Sequence, residues 1–188
     1  MSPWWIGAIA LGLLLFGLYL SMTAGRLDRL HVRIATAELA LEAHLLRRSA
    51  ISLELAGTGL LDPASSALMA DAAHQARVAP ESDPAARVRA ESNLTWALMA
   101  VFPDDEVVEE LDETQEGAEL VSELAASCAR VALSRRFLND GVRACRAVRR
   151  QRLARWFRLA GHTPWPETVE LDDAVPPALV THQGRSLS

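Results

Sequence analysis

The sequence predicts an all-α protein: an N-terminal transmembrane helix, then an antiparallel four-helix bundle with a long last helix. Three observations predict it. Trp4 to Ala24 carries no charged residue. Beyond it, apolar residues recur at alternating steps of three and four, the spacing of a helix face turned to a core. Ala, Leu, Arg and Glu, all good helix formers, dominate, while aromatic residues make up only 5%.

The anchor comes first. At about 1.5 Å per residue, residues 4–24 just cross a ~30 Å hydrocarbon layer. Trp4 and Trp5 at one end and Tyr19 near the other suit the headgroup boundaries. A cleaved leader would need a positive segment before the apolar run, and Met1-Ser2-Pro3 supplies none beyond the amino group. Arg26, Arg29 and Arg33 follow the span and nothing basic precedes it. Positive flanks stay inside, so residues 1–3 are expected outside and the rest in the cytoplasm, on a single-pass protein of the cell (inner) membrane.

The soluble part, residues 25–160, is expected to be one helical domain. Its first helix runs from Gly25 to about Ala56. Its seam is Leu27, Leu30, Ile34, Ala37, Leu41, Ile51 and Leu55, with His44 and Arg48 falling inside it. Gly57-Thr58-Gly59 ends it, as glycine past a helix C-terminus does. A second helix starts at the Asp62-Pro63 cap and runs to about Val78, offering Leu61, Ala64, Leu68, Ala72 and Val78 for burial. A third covers about Pro84 to Phe102, with Val88, Leu94, Leu98 and Val101 in line, Glu91 among them and Trp96 off the line. The fourth is expected from about Glu106 to Arg158, with a kink or break near Gly117. Its seam is Val121, Leu124, Cys128, Val131, Arg135, Leu138, Val142, Cys145 and Val148. Residues 161–188 form a Pro-containing tail, expected to be disordered from about Ala174.

Charge and cysteine usage bound the function. The net charge is −5 and all 19 basic residues are Arg, which gives no overall case for nucleic acid. Residues 104–119 hold nine acids and no base, and 130–158 hold ten arginines and one acid. Acid at the start and base at the end of a helix both oppose its dipole, which accounts for both runs without a partner. Cys128 and Cys145, 17 residues apart on one helix, lie about 25 Å apart and cannot form a disulfide. Two free thiols suit a reducing cytoplasm.

Arg135-Arg136-Phe137-Leu138-Asn139-Asp140-Gly141-Val142 resembles the RRFYNDAV signature of LemA family proteins. Leu46-Arg47-Arg48, Ala90-Glu91 with Leu94 and Ala97-Leu98, Phe102-Pro103-Asp104, and Trp156-Phe157 through Pro164-Trp165 resemble other family segments in the same order. The likeness runs from the anchor to about Asp173. It departs at Ser49-Ala50-Ile51-Ser52-Leu53, which lacks the family's Pro and Asn, and at Leu138, which replaces Tyr. The resemblance implies a membrane-anchored four-helix bundle and little about biochemistry.

No catalytic constellation emerges. A carboxylate-bridged metal site in a bundle needs two Glu-x-x-His motifs, and Asp71-Ala72-Ala73-His74 is a single approximation. There is no Gly-x-Ser-x-Gly elbow, and the cysteines fall in apolar seams. The sequence therefore reads as a non-catalytic scaffold without cofactor, presenting a cytoplasmic surface to an unknown membrane or cytoplasmic protein; the alternative is a bundle enzyme with a carboxylate/His metal site. Two groups of residues stand out. Arg48, Glu91 and Arg135 are charges in apolar seams, expected to meet inside the bundle because an unpaired buried charge is costly. Arg149, Arg150, Arg152, Arg155, Trp156 and Arg158 close the last helix, where anionic lipid headgroups are the expected contact.

Overall fold

A computed structural model describes residues 4–80, 82–151 and 164–186. Among these the regular structure is helical: α1 Trp4–Gly57, α2 Pro63–Val78, α3 Pro84–Val101, α4 Asp105–Asp112, α5 Gln115–Arg149 and α6 Pro177–Ser186. Two compact units divide the chain: Met1–Glu38 with Leu138–Thr168, and Leu39–Phe137 with Val169–Ser188.

The first unit contains the apolar start of α1. α1 is long and apolar enough to cross a membrane, and none of its most apolar stretch is buried within the protein. Trp4, Ile6, Ile9, Leu13, Leu14 and Tyr19 are all exposed. Further along, Leu27 and Ile34 are buried, as are Leu138, Val142, Cys145 and Val148 of α5. Gly141 lets the two helices approach closely, since a Cβ there would stand 3.4 Å from Ile34 Cγ1.

The second unit holds the larger core. From α1 it takes Ile51 and Leu55, from α2 Met69, Ala72, Ala73 and Ala76, from α3 Leu94, Ala97, Leu98 and Val101, and from α5 Leu120, Val121, Leu124, Ala125 and Cys128. Helix starts follow the capping chemistry of the sequence. Asp62 accepts from the Ala64 and Ser65 amides at 2.9 and 3.1 Å, Asp83 from Ala86 at 2.9 Å, and Asp104 from Glu106 at 3.2 Å. Pro63 and Pro84 take the first helical positions. After α1, Gly59 turns the chain with φ of 75°, a conformation that favours glycine.

Three elements differ from the sequence reading. On α2 the buried face is Met69, Ala72, Ala73 and Ala76, while Leu68 and Val78 are exposed. Small side chains let α2 lie close against α3, which outweighs burying one more leucine. The fourth segment breaks near Gly117, as the sequence allowed, and the break makes two helices, α4 and α5; among the described residues α1 with 54 residues, not the last long helix with 35, is therefore the longest element. Thr114 makes the break: its hydroxyl accepts from the Gly117 amide at 3.0 Å and starts α5 afresh. Where the sequence reads as a disordered tail, α6 packs on α4 with Ala178 and Leu179 buried.

Candidate functional site: a buried polar layer

Arg48 lies on the core face of α1, between Leu41 and Ile51, and is only 1% exposed. Its Nη2 donates to Glu91 Oε2 at 2.8 Å and to the Glu91 carbonyl at 3.1 Å, and its Nη1 donates to Thr95 Oγ1 at 3.1 Å. Glu91 and Thr95 are themselves buried one turn apart on α3. The Thr95 hydroxyl donates onward to the Asp172 carbonyl at 2.7 Å. Ser52 Oγ donates to the Arg48 carbonyl at 2.9 Å. Arg48 Nε and the buried Ser127 hydroxyl have no hydrogen-bond partner. An ion pair this dry survives because hydrogen bonds fill most of its remaining valences.

Arg135 goes elsewhere. It clamps Asp173 through Nε–Oδ2 at 2.6 Å and Nη2–Oδ1 at 2.8 Å. This hydrogen-bonded carboxylate raises the guanidinium pKa further above its usual value, against a smaller effect of burial. Of the two arginines expected to be neutralised by Glu91, either or both, Arg48 is and Arg135 is not. The residues that sequence reasoning missed are Thr95, Asp172 and Asp173. Asp172 also accepts from the Trp96 indole at 2.8 Å, and its amide donates to Ser92 Oγ at 3.1 Å. Residues 172 and 173 thus strap the polar side of α3 and Arg135 of α5. The paired acids in a Pro-rich segment were the one signal for them.

The remaining candidates are placed as follows. Arg149 donates to the Pro164 carbonyl at 2.7 Å and stacks over Trp165, 4.8 Å from the ring centre. Arg146 donates to the Pro166 carbonyl at 2.7 Å. Arg149 therefore holds the chain's own backbone, while Arg150 is exposed. Arg152, Arg155, Trp156 and Arg158 lie outside the described residues. Asp71 and His74 are exposed, and Asp71 accepts from Gln75 at 2.7 Å. Among the described residues no group of three or more His, Cys, Asp or Glu is arranged to hold a metal ion.

The layer has little nucleophilic capacity. Burial pushes the Cys128 thiol from an ordinary 9.0 up to about 11, against a smaller opposing effect of the Arg48 charge. Burial also raises Cys145, with Arg149 opposing. Both thiols stay protonated at neutral pH, and the thiolate is the reactive form. The geometry is that of an internal ion pair held by its own hydrogen bonds. No family model, curated protein or solved structure matches this chain.

Proposed function

We propose that this protein is a membrane-anchored, non-catalytic helical scaffold of the LemA type, with its amino terminus outside and its helical domain in the cytoplasm. In this reading α1 beyond Gly25 joins α2, α3 and α5 in an antiparallel four-helix bundle. The observation that carries it is the contrast within α1: an unburied apolar stretch at one end and a buried Arg48–Glu91 pair at the other. One helix leaving the bilayer and entering a core suits a device that holds a surface at a membrane.

The up-down order has its own support. Glu42 pairs with Arg87 and Arg48 with Glu91, at 2.9 and 2.8 Å, so contacts advance together along α1 and α3. First and third helices run the same way in such a bundle. The LemA likeness rests on the RRFLNDGV segment and its companions in sequence. The inward direction of the domain rests on the one-sided Arg flank. Anionic headgroups are the proposed contact of Arg150, Arg152, Arg155 and Arg158.

Thiol labelling tests the topology. Ser2→Cys should react with an impermeant reagent in intact cells, and Gly184→Cys should react only after lysis. The reverse pattern overturns the cytoplasmic placement.

A further inference from the structure

We infer that α1 pairs with α1 of a second copy of this chain, through an outward apolar seam, as a parallel two-stranded coiled coil. Within the second unit, Leu39 is 70% and Leu46 47% exposed. Ala43 is exposed between them and Ala50 follows, half-buried, while Leu53, next in register, packs against the chain's own core. The steps from Leu39 to Ala50 are four, three and four, which is the heptad rhythm with leucine at d and alanine at a. This seam lies on the side of the helix away from Leu41, Leu45 and Arg48, so α1 has one apolar face for its own core and another left over. Single exposed apolar residues are ordinary on a protein surface; a run in heptad register is not.

Charge pattern selects the occupant. With Leu39 and Leu46 at d, Glu42 falls at g and Arg47 at the following e, five residues on. A parallel two-stranded coil sets each g residue against the partner's next e residue, so Glu42 of one chain meets Arg47 of the other, twice by symmetry. An antiparallel pair matches g with g and e with e, so it would leave Glu42 and Arg47 without this opposite-charge contact. The same count backward along the chain puts Thr36 at a, Val32 at d, Asp28 at g and Arg33 at e, so a second opposite-charge pair appears in the same register. Val32 is 61% exposed. Within its own chain Glu42 already accepts from Arg87 and Arg47 pairs with Glu123, yet their side chains remain 41% and 54% exposed. Arg47 has five N–H donors, enough for both partners.

The inference rests on the anchored reading for one thing only: copies inserted in one bilayer point the same way and meet at high effective concentration. Two or three alanine-containing heptads are too few to associate strongly when free in water.

Cysteine crosslinking of the full chain in native membranes tests it. Ala43→Cys and Leu46→Cys place thiols at a and d; Glu38→Cys places one at c, away from the seam. Mild oxidation should give a disulfide dimer for the first two, while Glu38→Cys matches the unsubstituted chain, whose Cys128 and Cys145 are buried. Adding Leu39→Glu to Ala43→Cys should abolish the dimer band with helicity unchanged by circular dichroism, since Leu39 faces solvent. Baseline crosslinking at 43 and 46, equal crosslinking at 38, or a product containing a different protein overturns the inference. Crosslinks are read in whichever fraction holds the chain. Recovery in the soluble fraction counts against the anchor, and the band pattern still decides the pairing.

Discussion

Arg48 is held by the Glu91 carboxylate, the Glu91 carbonyl and the Thr95 hydroxyl, and no water is needed to satisfy those bonds. Removing one partner of such a pair strands the other charge. Glu91→Ala should therefore lower unfolding free energy by ~3–5 kcal/mol in urea melts. Replacing both charges by apolar residues, Arg48→Met with Glu91→Leu, should recover most of that loss, because nothing charged is then buried. A loss under ~1 kcal/mol for Glu91→Ala would instead describe a solvated pair. Arg48, Glu91 and Arg135 were legible in the sequence because each interrupts an apolar seam. The partner of Arg135 was not, since Asp173 lies in an irregular segment where periodicity says nothing about neighbours. Thr95 was hidden for a different reason: a hydroxyl on a helix reads as tolerable anywhere.

Helix faces were legible in proportion to how unevenly they are coloured. On α5 every apolar seam position from Val121 to Val148 is buried, because large residues alternate with charges. α2 gives no such contrast, with alanine at 64, 67, 70, 72, 73 and 76, so its phase is set by α3. The break before α5 was readable only as a glycine. The structure supplies the reason for the glycine: beside the Thr114 cap, a Cβ on Gly117 would collide with the Leu111 carbonyl oxygen. In an ordinary helix interior Gly→Ala stabilises by ~0.5–1 kcal/mol. Here Gly117→Ala should destabilise by ~1–3 kcal/mol, because backbone must move to admit the methyl. The sign of the shift in melting temperature distinguishes a tight junction from a relaxed one.

At the scale of the whole molecule, α1 joins apolar surface that water disfavours to a charge that only a folded core can hold. Alkaline carbonate should leave the chain in the membrane pellet. Leu13→Arg with Leu14→Arg should release it, since each arginine at mid-bilayer costs ~2.5–3.5 kcal/mol on insertion scales. Release of the unsubstituted chain would rule out a span. The strap at Asp172 also imposes an order of events in time. Glu91 follows Arg48 by 43 residues, but Thr95 waits 77 residues for the Asp172 carbonyl. At ~5–20 residues per second of synthesis, that wait is roughly 4–15 s. The ion pair can close while the ribosome is still at work, and the Thr95 hydroxyl beside it gains its Asp172 acceptor only when the carboxyl-terminal segment emerges. A nascent chain at this stage has its Arg48–Glu91 pair formed and its lid missing, which leaves the Ser92 and Thr95 side of α3 within reach of chaperones until residues 172 and 173 arrive.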